Sequence, residues 1–445
     1  MGKKVSLIFV LAAVWMALPI SEFASAQSTD LIGSAIDLMK ENHPYRVSIF
    51  RIEPELVVGS AYDSNSLNSP SDADPLSDVF GSIQPGADIG FKLGRSGYAT
   101  IGEQVNFLYY QKQSELRDIY TSTSASFVTG SRKHLLGFNG SYQTRKAWPS
   151  YEFDVPIDQE LGFGEAGLIF SFMRSTSLSL NYNLQQSIYQ EASYVSPELV
   201  PPDTRSSTFS PKLIQYLSKK FEVSVEGDFG TIRFLDPIET TLRDRVDFLR
   251  VLGGFQFTGN QIDGQINLGY EQTGDPATIN GSLKNFTANG ELDYRWTPKF
   301  LIGALFQRNR EVSTFSQDSF RILTGYGVRG CFFCAKKVYF DGRWLQGHNK
   351  YDQLVVTDTG PITKDRFYQI DSGINTVVMK TMVFRVGLTY YNRDSNQPFL
   401  TKNRLTLGFG ITFGGWHGRG NLEAPSCFEF NDQQSPAIIS TNSFH

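Results

Sequence analysis

The chain has 445 residues, a formal net charge of −4 and 3 cysteines. A mildly acidic chain without a long basic run is a poor nucleic-acid binder, and so few cysteines cannot build a disulfide framework. Beyond the N-terminus there is no run of about 18 apolar residues, so no helix here can span a bilayer.

The first 26 residues read as a secretory signal peptide. Lys3 and Lys4 form its basic start, Val5 to Leu18 its apolar stretch, and Ala24-Ser25-Ala26 a small-x-small site with cleavage expected before Gln27. The residue after the cut is not Cys, which argues against a lipoprotein. Residues 27–45 are expected to be a short periplasmic helical segment. Thr29 can cap a helix over 29–42, and Leu31, Ile32, Ala35, Ile36, Leu38 and Met39 share one face before Asn42 and Pro44 end it.

From 46 to 413 one unit repeats: strand, short turn, strand, longer polar loop. Over 221–229, Phe221, Val223, Val225 and Phe229 alternate with Glu222, Ser224, Glu226 and Asp228. Over 285–296, Phe286, Ala288, Leu292, Tyr294 and Trp296 alternate with Asn285, Asn289, Glu291, Asp293 and Arg295. The segments 261–271 and 404–413 alternate in the same way. A period of two places each set on one face of a sheet. Glu103 breaks the apolar register of 98–112, the segment 206–218 alternates poorly around Pro211, and Pro54 and Pro85 suggest bulges or strand ends.

Eight tight turns punctuate this region: 94–97, 130–133, 174–176, 219–220, 259–260, 298–299, 335–337 and 380–381. They imply about 18 strands, with 16 the alternative count. Longer loops such as 63–78, 148–158, 193–205, 274–284 and 352–364 lie between them. Short turns on one rim and long loops on the other predict an all-β transmembrane antiparallel up-and-down barrel in a bacterial outer membrane. In lipid an open sheet edge cannot be satisfied, so the sheet must close. A soluble sandwich would not explain the asymmetry of loop lengths, nor aromatics beside turns such as Tyr98, Phe221, Trp296, Phe300 and Tyr339. Residues 414–445 remain as a polar periplasmic tail.

A barrel of this size leaves an aqueous lumen unless something fills it. The polar face is then the candidate functional surface. Its acidic members gather early, at Glu222, Glu226, Asp228, Glu291 and Asp293, and its arginines later, at Arg295, Arg321, Arg329, Arg343 and Arg385. Opposed patches would set a transverse field across a pore; the alternative is a set of mutually paired, hydrated charges, with Asp341 and Asp371 as partners of the arginines. No phosphate loop, metal-ligand spacing or nucleophile–base pair appears, so neither enzyme chemistry nor a cofactor is expected. Cys331-Phe332-Phe333-Cys334 offers a local disulfide in an oxidising compartment, provided the turn bends the chain, since the two project differently along an extended strand.

The first strand Ile52-Glu53-Pro54-Glu55-Leu56, the following Tyr62-Asp63-Ser64-Asn65 and later hairpins rich in Tyr-x-x and Gly-x-Phe resemble the β-barrel porins encoded with bacterial exopolysaccharide operons. The resemblance implies an outer-membrane channel for polysaccharide secretion, working with a periplasmic export protein and carrying no catalytic residues. Three readings follow, in this order: a polysaccharide export conduit, a general or solute-specific diffusion porin, and a structural or adhesive barrel. The expected partners are outer-membrane lipid and either a polysaccharide or a small hydrophilic solute.

Overall fold

A computed structural model describes residues 45–47, 50–67, 69, 74–94, 96–131, 133–147, 157–173, 175–190, 202–235, 245–274, 283–312, 320–335, 337–351, 356–357, 360–361, 365–379 and 382–414. The expected signal peptide, the helix at 29–42 and the tail lie outside these residues.

Eighteen staves form the wall: β1 (Phe50–Asp63), β2 (Asp78–Leu93), β3 (Gly97–Tyr110), β4 (Asp118–Gly130), β5 (His134–Ala147), β6 (Ile157–Met173), β7 (Thr176–Tyr189), β8 (Thr204–Tyr216), β9 (Phe221–Phe234), β10 (Arg245–Thr258), β11 (Ile262–Gly274), β12 (Leu283–Thr297), β13 (Phe300–Val312), β14 (Phe320–Ala335), β15 (Val338–Tyr351), β16 (Asp365–Met379), β17 (Met382–Ser395) and β18 (Lys402–Gly414). A three-residue strand, Tyr45–Val47, folds back on the start of β1, and Val356–Thr357 pairs with Gly360–Pro361 in the loop after β15. Each stave pairs antiparallel with its sequence neighbours. The sheet closes where β1 meets β18, in register from Glu55↔Gly414 to Asp63↔Thr406. The count of 18 agrees with the reading from the turns. Both ends of the wall, Phe50 and Gly414, lie on the short-turn rim, as an even strand count requires.

The prolines act locally. Pro85 and Pro211 sit inside β2 and β8, each where pairing to the next stave lapses for two residues and then resumes in the same register. A missing N–H removes ladder bonds without shifting the strand. The segment 206–218, poorly patterned in sequence, therefore still forms a regular stave over Thr204–Tyr216. Pro54 lies one residue beyond the β18 pairing, on a stretch that needs no donor on that side. Gly414 has φ +89°, and a Cβ there would meet the Pro54 carbonyl, so the closing strand ends on a glycine for steric reasons.

Burial runs inside-out relative to a soluble protein. Large apolar side chains such as Phe255, Ile266, Leu268, Phe286, Leu292, Val328 and Phe409 are exposed on the outer wall, whereas Asp228, Asn375, Asp365 and Arg393 are fully buried on the inner one. Leaving each large apolar group in water would forgo about 1.5–3 kcal/mol, so the outer wall fits lipid. Glu103 does point outward, where it accepts a hydrogen bond from Thr123 Oγ1 at 2.5 Å. Two of the expected girdle aromatics are misplaced: Tyr98 and Tyr339 are buried at 4% and 1% exposure. Counting by twos from their neighbours turns them into the lumen, while Phe221 and Trp296 are exposed. A closed barrel of this kind resists detergent until boiled. Unheated protein is expected to migrate faster on gels than boiled protein, and identical mobility would contradict closure.

Candidate functional site: the lumen wall

The inner face is built by alternation, and adjacent staves bring its charges together in pairs. On β9 and β10, Arg250 Nε donates to Asp228 at 2.7 Å, and from β8 Ser210 Oγ donates to the same carboxylate at 2.5 Å. Glu226 lies 3.6 Å from Lys212 Nζ. Arg329 on β14 reaches across β13 to Asp293, at 2.6 and 3.1 Å, and to Glu291 at 3.2 Å. Arg343 on β15 meets Asp371 at 3.1 Å, a carboxylate that also accepts from Gln369 and Thr389 at 2.8 Å. Arg385 on β17 spans β16 to grip Asp341 with both terminal nitrogens, at 2.6 and 3.0 Å, and Asn375 adds a third donor at 2.8 Å. Arg393 and Asp365 form a doubly bonded pair at 2.8 Å with no exposure on either side chain. Two-point contact of this sort gives the strongest charge-assisted bonds and fixes the guanidinium plane.

The ten charges anticipated from sequence thus occupy different settings. Arg329, Arg343, Arg385, Glu226, Asp228, Glu291 and Asp293 are in ion pairs. Arg321 is buried and donates to Asn349 Oδ1 at 3.3 Å. Arg295 is exposed beside the turn at 298–299, and Glu222 is half-buried beside the turn at 217–220. The expected segregation into an acidic and a basic half is incomplete. The arginine-bearing staves also carry Asp341, Asp365 and Asp371, because cross-stave pairing supplies each arginine with a nearby carboxylate.

Sequence reasoning missed two features. The first is a latch at the closing seam, built from Tyr62-Asp63-Ser64-Asn65. Asp63 binds Arg404 of β18 through two bonds, Leu405 N donates to Ser64 Oγ at 2.7 Å, and Asn65 Nδ2 donates to Asn403 O at 3.2 Å. The residues that carried the family resemblance therefore join the first stave to the last. The second feature lies near the long-loop rim, where the inner face turns apolar. Phe80, Tyr110, Tyr120, Leu108 and Leu116 form one cluster, with Phe80 and Tyr110 stacked at 4.9 Å. Ile232, Phe234 and Val246 form another, and Leu323, Phe367 and Tyr391 a third. The available signal was the break of alternation at the ends of staves, as at Tyr109-Tyr110.

The local bridge expected between Cys331 and Cys334 does not form. Cys331 is disulfide-bonded and buried among Tyr339, Phe333 and Leu301, whereas Cys334 is a free, exposed thiol whose Sγ donates to Val338 O at 3.3 Å. Cys334 occupies the bulge between Phe333 and Ala335, and the turn does not bend enough to bring the two sulfurs together. The third cysteine, Cys427, lies outside the described residues. Alkylation of denatured, unreduced protein is expected to modify Cys334 and spare Cys331; labelling of Cys331 would contradict this assignment. Among the described residues no group of three or more His, Cys, Asp or Glu side chains could hold a metal ion.

Fold and wall together define a class: a closed, membrane-spanning β-barrel with a polar, ion-paired lumen. No protein-family profile matches the sequence, and no curated protein does. Among solved structures, a BenF-like porin from Pseudomonas fluorescens Pf-5 is similar at 10% identity and a TM-score of 0.48, over 82% of this chain and 99% of that one. Acinetobacter baumannii OccAB3 is similar at 12% identity and a TM-score of 0.46, over 82% and 99%. Pseudomonas aeruginosa OccK2, solved in complex with glucuronate, is similar at 11% identity and a TM-score of 0.47, over 82% and 98%.

Proposed function

We propose that this protein is a passive outer-membrane channel for small polar solutes. The observation that carries the reading is the state of the inner wall. Most of its named charges are neutralised in ion pairs by fixed partners, and Arg393, Asp365, Gln369 and Asn375 are almost wholly buried. Side chains without a free face present no continuous track to a passing polymer. Paired charges lower the electrostatic barrier to small polar or ionic solutes without building a site tight enough to trap them. The membrane location is supported by the apolar outer wall and by the contrast of short turns with long loops.

Polysaccharide export with a periplasmic partner is the second reading. It would need aromatic faces open to sugars, whereas the inward rings Phe80, Tyr110, Tyr120, Phe367 and Tyr391 are buried in clusters. Liposome swelling separates the two. Purified barrel in proteoliposomes is expected to admit arabinose and glucose fast and trisaccharides slowly, with stepwise conductance in planar bilayers. Absence of both swelling and conductance in heat-modifiable protein would overturn the channel reading.

A further inference from the structure

The outer wall is mostly apolar, yet toward the long-loop rim of β13 to β16 it turns basic. Arg308, Thr324, His348 and Arg366 oppose one another in register across these four staves. One step nearer the rim, Arg310, Ile322 and Lys350 form a second row. Alternation assigns both rows to the outside, because the intervening Arg321, Asn349 and Asp365 are buried on the lumen side. His348, Lys350 and Arg366 are exposed; Arg308 is half-buried, with Nη1 donating to Thr324 Oγ1 at 3.1 Å. Asp394 opposes Arg366 on β17 and is the carboxylate that continues the row. Arg310 is buried, so the accessible patch carries three fixed cations, Arg308, Lys350 and Arg366, beside the one carboxylate of the row.

Its height on the barrel matters. One step below the basic rows, Phe306, Tyr326, Gln346 and Tyr368 form the next outward row, with Tyr368 and Tyr390 rings 5.7 Å apart. Aromatic side chains of this kind sit at the level of lipid headgroups, which sets the cations at or just beyond the headgroup phosphates. With staves about 4.8 Å apart, Arg308 and Arg366 are spread over about 15 Å. A second outward row at this rim, Arg205, Arg233 and Arg245 on β8 to β10, lies in register too, with Arg245 paired to Asp247 at 2.8 Å. On β1 to β4 the outward residues near the same rim are Tyr62, Val79, Tyr109 and Ile119, all apolar or aromatic and all exposed.

We propose that Arg308, Lys350 and Arg366 bind the phosphoryl groups of an anionic lipid in the surrounding leaflet, a bisphosphorylated glycolipid headgroup spanning the two rows. Guanidinium groups suit this role because they grip phosphate oxygens in pairs and remain charged. The assignment rests on the outer-membrane reading but not on transport.

Native mass spectrometry of the detergent-purified, heat-modifiable barrel tests it, with diphosphorylated lipid A, phosphatidylcholine and inorganic phosphate added separately. Wild-type protein is expected to retain lipid A and not phosphatidylcholine. The triple variant Arg308→Gln, Lys350→Gln, Arg366→Gln should lower retention about tenfold. The exposed pair Lys219→Gln, Lys220→Gln, at the short-turn rim, should not. If the triple variant fails to fold, Lys350→Gln and Arg366→Gln are read singly, each with a severalfold loss expected. Equal retention by the variants and wild type overturns the proposal, as does an equal loss in the control pair. Displacement of lipid A by millimolar inorganic phosphate would mark a free-phosphate site and overturn the lipid assignment. Loss of conductance with lipid retention intact would count against the channel and not against this site.

Discussion

Asp63→Ala is expected to unlatch the barrel. Asp63 is fully buried and Arg404 is 4% exposed, so the substitution takes from a buried guanidinium the carboxylate that holds it with two bonds. Breaking one partner of such a pair costs about 3–5 kcal/mol. Here the loss falls on the closing seam, where β1 and β18 pair over fewer residues than most neighbouring staves. Asp63 Oδ1 also accepts the Asn65 backbone N–H at 3.0 Å, so the same change loosens the start of the first long loop. The measured outcome should be a smaller heat-modifiable fraction and unfolding at lower urea. A double variant, Asp63→Ala with Arg404→Leu, should recover part of the loss, because it also removes the buried cation. Equal stability of Asp63→Ala and wild type would show that the latch does not secure closure.

The second large effect is expected in the lumen. Replacing Arg321, Arg343 and Arg385 by Gln together removes three positive charges from β14, β15 and β17. Two consequences follow with distinct readouts. Asp341, whose side chain is 1% exposed, loses the partner that neutralises it, so barrel abundance should fall. Restoring neutrality with Asp341→Asn should raise abundance again. In the barrels that do form, the lumen gains net negative charge, and the reversal potential in a salt gradient should move toward cation preference. The shift should shrink at high salt, as counter-ions screen charges beyond about a Debye length of 8 Å. Unchanged selectivity in properly folded protein would mean that these side chains do not border the conducting path, and they would no longer be candidates for solute contact.

The chain by itself determined the wall. A period of two, maintained from stave to stave, requires one face for lipid and one for a polar interior, and a tight turn can join only adjacent antiparallel strands. Turn positions therefore gave the strand number, and alternation told lumen-facing Glu226, Asp293 or Arg385 from lipid-facing Phe286 or Leu407. Such information is local, carried by residues one or two apart.

Everything that depends on register between staves was decided by the tertiary structure. That Arg385 reaches over β16 to Asp341, that Arg329 spans β13 to Asp293, and that Asp63 meets Arg404 across 341 positions of sequence follow from shear and closure, which alternation leaves undetermined. The same cause explains the errors. Cys331 and Cys334 are neighbours in sequence, yet a strand and its bulge turn one thiol inward and leave the other exposed. Tyr98 and Tyr339 adjoin turns and look like girdle residues, but parity, not proximity to a turn, decides which face a side chain joins.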